Sequence, residues 1–306
     1  MGTGARGTVI SMATTASDAA RCAGLSELNP PSPPFDSTRD SRYFFPSAGH
    51  AEALSRLLFL VEDRNMGMGL LTGEIGSGKT LLRSVLHARL DTESHLRVSV
   101  ENSLLGFDDL LLEILSQMRA ERLMPPDYPD RYSRLSLFKR LLAEQVAERS
   151  RHLVIFLDEA QLLGLADLDA LKGLTNIASE RQNLLTLILI GQPELRARLR
   201  QLPQVDQRIS LRFHLTALSA EETALYLRHR LHIAGYQGDF PFTEEALDLL
   251  YQATRGIPRE INRVCKIGLD HVLNTGLERF TGATISAVVE DLRRHGGLFD
   301  AGADRL

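Results

Sequence analysis

The sequence predicts an α/β protein in which a parallel sheet flanked by helices is followed by a small, all-helical domain. Three observations carry this. Continuous apolar runs of strand length at 67–72, 153–157 and 184–190 alternate with segments of helical periodicity, the pattern of strands covered on both faces. A glycine-rich stretch, 73–80, joins the first run to a helical pattern. After Leu218 every pattern is helical.

Bulk properties narrow the class. The chain has 306 residues, 43% hydrophobic and 24% charged, with a formal net charge of −4. These values fit a soluble globular protein and give no global footprint for nucleic acid, although a local basic surface stays open. Cys22 and Cys265 are too far apart for a metal pattern, and a disulfide framework is not expected. No apolar run approaches the roughly 18 residues needed to cross a bilayer, and no signal peptide is evident. A cytoplasmic protein is expected, peripheral to the inner membrane only through a partner.

In chain order, residues 1–40 read as a disordered tail, rich in small residues and carrying Pro30, Pro31, Pro33 and Pro34. Tyr43-Phe44-Phe45 follows, and 50–63 is helical, with Leu54, Leu57, Leu58 and Val61 on one face. The strand at 67–72 leads into 73–80, and Leu81, Leu82, Val85, Leu86 and Leu90 share a helix face beyond it. Residues 96–100 alternate as a strand. Helices are expected at 107–118 and 135–149, a strand at 153–157, a helix at 165–180, a strand at 184–190 and a last short strand at 209–215. Ser219-Ala220-Glu221-Glu222 forms a capping box. It opens the first of four helices, the others starting at Thr243, near Pro258 and near Ile285. The expected division is a tail at 1–40, an α/β core at 41–217, a helical lid at 218–295 and a flexible tail at 296–306.

The chemistry centres on Gly73-Glu74-Ile75-Gly76-Ser77-Gly78-Lys79-Thr80, which fits G-x-x-x-x-G-K-[ST]. Strand, glycine loop and helix form the required setting. Exposed backbone N–H groups and the helix N-terminus, up to Leu81, favour a polyphosphate. Lys79 would reach the β- and γ-phosphates, and the Thr80 hydroxyl would ligate Mg²⁺. Asp158-Glu159 ends a hydrophobic strand, at the end where ligands of open α/β sheets bind. Asp158 suits a Mg²⁺ site. Glu159 suits polarisation of an attacking water, which points to hydrolysis. Gln192, just past the 184–190 strand, is placed to contact the γ-phosphate or align water, or else is a turn residue before Pro193. Arg259, after Pro258 at a helix start, is placed to reach phosphate from the lid, or is a surface arginine. Arg208, ahead of the last strand, is the candidate to act in trans on a neighbour's nucleotide. Arg212 competes for that role, and a structural salt bridge is the alternative for either. Tyr43-Phe44-Phe45 either docks on the core or covers the adenine. Arg196, Arg198, Arg200, Arg208 and Arg212 read as an exposed helix face plus that trans-acting arginine, with a DNA surface as the alternative.

Taken together, these blocks resemble the AAA+ ATPases over about residues 40–292. More narrowly they resemble the ExeA/GspA-type secretion ATPases and the related TnsC/TniB-type transposition ATPases. The carrying residues are Tyr43-Phe44-Phe45-Pro46-Ser47 with His50, Glu52, Ala53 and Leu54; Leu71 to Thr80; Asp158-Glu159-Ala160-Gln161; Gly191-Gln192-Pro193-Glu194-Leu195; and Gly256-Ile257-Pro258-Arg259. The resemblance implies ATP with Mg²⁺ and a homo-oligomeric ring or filament with nucleotide between subunits. It also implies a partner that is a secretion-system protein or, alternatively, a transposase. A nucleotide-gated scaffold with little turnover is a further alternative, against which Glu159 argues. One departure is Glu101-Asn102-Ser103, where the group usually carries Asn-Pro.

Overall fold

Three strands are apolar throughout because both of their faces are covered. In β1 (Met68–Gly73), β3 (His152–Leu157) and β4 (Leu185–Gly191) every residue is buried. The edge strands β2 (His95–Val100) and β5 (Leu211–Leu215) are only partly buried. All pairs are parallel, and the sheet order is β2-β3-β4-β1-β5. The computed structural model describes residues 33–38, 40–101, 106–121, 123, 127–175 and 183–295.

The pleat divides each strand between two layers. Val154, Phe156, Ile188 and Ile190 pack under α1 (Ala48–Glu62) and α2 (Lys79–Arg89), through Leu57, Leu60, Leu82 and Leu86. Leu153, Ile155, Leu157, Leu187 and Leu189 face α3 (Phe107–Arg119), α4 (Arg131–Leu142), α5 (Leu165–Thr175), α6 (Glu194–Arg200) and the short α7 (Pro203–Asp206). A separate cluster joins α8 (Ala220–Ile233), α9 (Glu244–Thr254), α10 (Pro258–Thr275) and α11 (Gly282–Arg294). Leu215 belongs to the sheet and Leu218 to this helical cluster. The Ser219–Glu222 capping box opens α8, and Thr243 caps α9.

Two expectations change. The helix expected at 135–149 starts earlier, because the Asp130 side chain accepts from Ser133 N and caps it. It then widens into a π-turn at Ala143–Ala147. The disordered tail expected over 1–40 fails for 33–38. Phe35 is 2% exposed and meets Phe242 and Phe280 edge-on, at centroid distances of 6.5 and 6.4 Å. Arg230, buried on α8, donates to the carbonyls of Pro34 and Asp36, at 2.6 and 2.5 Å. One aromatic anchor and one buried cation thus order a proline-rich stretch that composition assigns to a tail. The expectations for residues 1–32 (Cys22 among them), for Asn102 and Ser103, for the end of the 165–180 helix and for 296–306 lie outside the described residues.

Candidate nucleotide site

Because β4 lies between β1 and β3, the carboxyl ends of three strands deliver the candidate residues side by side. Thr72 pairs with Gly191, so Gln192 emerges beside Gly73. Leu157 pairs with Leu189, which sets Asp158 next to the same strand end.

The loop leaving β1 needs its glycines for specific reasons. Gly76 and Gly78 have φ of 81° and 99°, the left-handed region that costs a side chain roughly 1–2 kcal/mol. A Cβ on Gly76 would stand 2.5 Å from Cβ of Arg259, and one on Gly78 would stand 2.8 Å from Nε2 of His50. The loop is therefore clasped from both sides, by α10 of the helical domain and by α1. The clasp on α1 is specific. His50 Nε2 lies 3.0 Å from the Ser77 carbonyl, which can only accept, so this nitrogen carries the proton. Nδ1 then accepts from Ser47 Oγ, at 2.7 Å. Burial lowers the proton affinity of His50 and keeps the ring neutral.

Lys79 and Thr80 open α2. The Lys79 ammonium donates to the carbonyls of Gly73 and Glu74, at 2.7 and 2.8 Å. Burial lowers its pKa, with Glu159, Asp158 and Glu74 acting in the other direction. The Thr80 hydroxyl donates to Asp158 Oδ2, at 3.1 Å. Burial raises the Asp158 pKa, and the nearby Arg83 guanidinium opposes that. Glu159, at φ 53°, follows in a left-handed turn. Glu74 is exposed; it meets Lys79 directly through its carbonyl, and its carboxylate acts on that ammonium through its charge alone.

The residues present fit a Mg²⁺-polyphosphate. Ser77 Oγ is buried and lacks a partner in the loop where phosphate oxygens are expected, and Thr80 and Asp158 offer the hard oxygen donors that Mg²⁺ takes. Beside the loop is an open cleft lined by Tyr43, Phe44, Phe45, His50, Gly78, Leu81, Leu218, Tyr226 and Pro258. Its aromatic and aliphatic wall suits a planar base.

Arg259 stands at the first turn of α10. Its backbone N–H donates to the Gly76 carbonyl at 3.3 Å and its side chain is exposed. Arg208 is not brought to this site. Ser210 N–H bonds Met68 O, so Arg208 sits at the opposite end of the sheet. The five strand steps from Met68 to Gly73 span roughly 17 Å. Arg212 is committed to Asp206, at 2.7 Å through Nη1. Arg198 departs from the expected exposed face: it is half-buried, and its guanidinium donates to the carbonyls of Gln161 and Leu163.

Sequence reasoning missed Arg83 and Gln161. Arg83 is 5% exposed on α2; it donates to Glu101 Oε1 at 2.8 Å and stands 3.8 Å from Asp158 Oδ2. Its signal was a charge on the otherwise apolar face of the helix that follows the loop. Gln161 is 9% exposed and bonds Glu159. It was in view only as the last letter of Asp158-Glu159-Ala160-Gln161.

The parallel sheet in the order β2-β3-β4-β1-β5, with a glycine loop between β1 and α2, is a P-loop fold of the AAA+ type. Residues 62–199 match the family model described as an AAA domain. The chain is similar to general secretion pathway protein A of Aeromonas hydrophila, with 36% identity over 282 residues that cover 91% of this chain and 49% of that protein. It thus spans about half the length of this curated relative. Two solved structures share the fold. One is the ORC2 protein of Aeropyrum pernix in its ADPNP-ADP complexes, with a TM-score of 0.61, 19% identity, and coverage of 79% of this chain and 67% of that chain. The other is Cdc6p from Pyrobaculum aerophilum, with a TM-score of 0.59, 17% identity, and coverage of 78% of this chain and 67% of that chain. Among the described residues no helix is long and apolar enough to cross a membrane.

Proposed function

We propose that the chain is an oligomeric ATPase that binds Mg²⁺-ATP between its α/β core and its helical lid, and that it couples turnover to assembly or remodelling of a protein partner in a secretion or envelope-assembly system. The observation that carries the chemistry is the convergence of Lys79, Thr80, Asp158 and Glu159 at neighbouring strand ends. Backbone N–H groups of 73–80 and the Lys79 ammonium hold the phosphates. The Thr80 hydroxyl and the Asp158 carboxylate are the residues for Mg²⁺, which when bound neutralises phosphate charge. Glu159 accepts a proton from the attacking water as the water oxygen bonds the γ-phosphorus. The bond from phosphorus to the β–γ bridging oxygen breaks, and ADP keeps that electron pair. Gln192 touches the γ-phosphate or aligns the water. Arg259 carries the state of the phosphates to the lid, which comprises residues 218–295, with the core at 41–217.

The partner class is supported by the identity with general secretion pathway protein A. A cytoplasmic location, with the inner membrane reached through the partner, follows from that reading. The transposase alternative loses ground, because Arg198 and Arg212 spend their charge on partners within the chain.

The test is ATP turnover and nucleotide binding by the purified chain. Lys79→Ala should lower ATP affinity by at least about tenfold, through loss of the charge contact. Glu159→Gln should keep ATP affinity and lose about 10²–10⁴ in kcat, the usual contribution of a general base. Normal turnover by Glu159→Gln would remove Glu159 from its role. Salt-sensitive binding to random duplex DNA with a non-hydrolysable ATP analogue would favour the transposase reading over secretion.

A further inference from the structure

We propose that Gln161 is a positioning residue of the ATPase site. Its side-chain amide ties the carboxylate of Glu159 to the end of β4, so that base and strand end move as one unit. This rests on the reading of Glu159 as the base.

Both ends of the amide are used. Gln161 Nε2 donates to Glu159 Oε2 at 2.5 Å, and Gln161 Oε1 accepts from Gln192 N at 3.1 Å. The two bonds fix which end is which: a carboxylate needs a donor and a peptide N–H needs an acceptor, so a flipped amide would satisfy neither. The side chain is 9% exposed and therefore shielded from competing water. Its backbone is held as well. Arg198 donates to the main-chain carbonyls of Gln161 and Leu163, at 2.8 and 2.5 Å. The neighbouring strand makes room for it: a Cβ on Gly191 would stand 2.6 Å from Gln161 Oε1.

The consequence is mechanical. Glu159 occupies a left-handed turn at φ 53°, a conformation that persists only when its surroundings over-determine it. The amide of Gln161 is one such constraint. Gln192 lies beside Gly73 at the start of the phosphate loop, so a displacement of its peptide reaches Glu159 through a single buried side chain. Phosphate contact at β4 and alignment of the base are then coupled events, with Gln161 acting through Glu159 and the Gln192 peptide.

Three variants of the full chain separate the two bonds. Gln161→Leu removes both. Gln161→Glu keeps an acceptor for Gln192 N–H but offers no donor to Glu159. Gln161→His restores one donor and one acceptor. Steady-state ATP turnover and binding of a fluorescent ATP analogue are the readouts. The Leu and Glu variants should lose about 10- to 100-fold in kcat with KM and Kd within about twofold, and the His variant should return to within about threefold of the parent. Parent-like kcat in Gln161→Glu overturns the proposal, as does a loss seen only in nucleotide affinity, or a His variant no better than Leu. If thermal melts show that Gln161→Leu does not fold, the Glu and His variants decide. Glu159→Gln is assayed in parallel. Its normal turnover would remove the base itself, whereas its inactivity beside unaffected Gln161 variants would remove only the role of Gln161.

Discussion

His152 shows how one residue couples the sheet to pH. It starts β3, at the end of the strand away from Asp158. Thr186 donates its hydroxyl proton to the Met66 carbonyl, so the Thr186 oxygen accepts from His152 Nε2, at 2.8 Å. The ring is fully buried, and protonating Nδ1 would place a charge in the core. Burial, with Arg64 and His95 nearby, lowers its pKa from 6.5 to about 4. Between those values the unfolded chain binds the extra proton and the folded chain does not, so stability falls as pH drops through this window. The fall from 6.5 to about 4 corresponds to about 3 kcal/mol at most. Urea denaturation from pH 7 to pH 4 should show this loss, and His152→Gln should flatten it; an unchanged slope in the variant would assign the effect elsewhere. At this scale the residues that converge at the strand ends, those of the loop 73–80 and the Asp158-Glu159 pair, were legible in the sequence, because they lie in contiguous stretches. Gln161 and Arg83 were not. Their roles arise only when β4 slots between β1 and β3 and when α2 crosses the end of β2, and no local spacing encodes that.

Whole elements were legible where burial on two sides or a cap dictates them. The apolar runs became β1, β3 and β4, and Ser219 and Thr243 cap α8 and α9 as their side chains require. The segment at 33–38 was not legible, because prolines and small residues dominate its composition while its order comes from tertiary contacts. Glu222 shows the same limit: beyond closing its capping box on Ser219 N, it accepts from Ala48 N at 2.9 Å and joins the start of α8 to the start of α1. Phe35 is the anchor whose removal tests the segment. Replacing a fully buried phenylalanine by alanine typically costs about 3–5 kcal/mol, and here it also removes two edge-on ring contacts. Phe35→Ala should lower the urea midpoint of the helical domain markedly. A change below about 0.5 kcal/mol would mean that the segment is only draped over the helices.

On the scale of the molecule, the phosphate loop is a junction. Gly76 touches Arg259 of the helical domain, Gly78 touches His50 of α1, and Leu218 N–H closes on the Gly256 carbonyl at 2.9 Å. Anything that repositions the loop is felt by both halves. Arg208 stands apart from this junction. It is exposed at the far end of the sheet, no side-chain partner engages it among the described residues, and its own phosphate loop is out of reach. A cation in that position is open to a second copy of the chain, the role proposed for it, and Arg212, bound to Asp206, is the weaker candidate. Arg208→Ala should leave ATP affinity unchanged and abolish the rise of specific activity with protein concentration, since an arginine acting in trans contributes about 10³–10⁵ in rate in well-studied cases. Lys79→Ala subunits keep Arg208 but lose their own phosphate grip, whereas Arg208→Ala subunits keep the grip and lose the arginine. Each should be inactive alone, and a mixed assembly would contain sites with the loop of one and the arginine of the other. Recovery of turnover on mixing, peaking near equal amounts, is the expected result. A mixture as inactive as its parts, under conditions where the parent assembles, would return Arg208 to the ordinary surface.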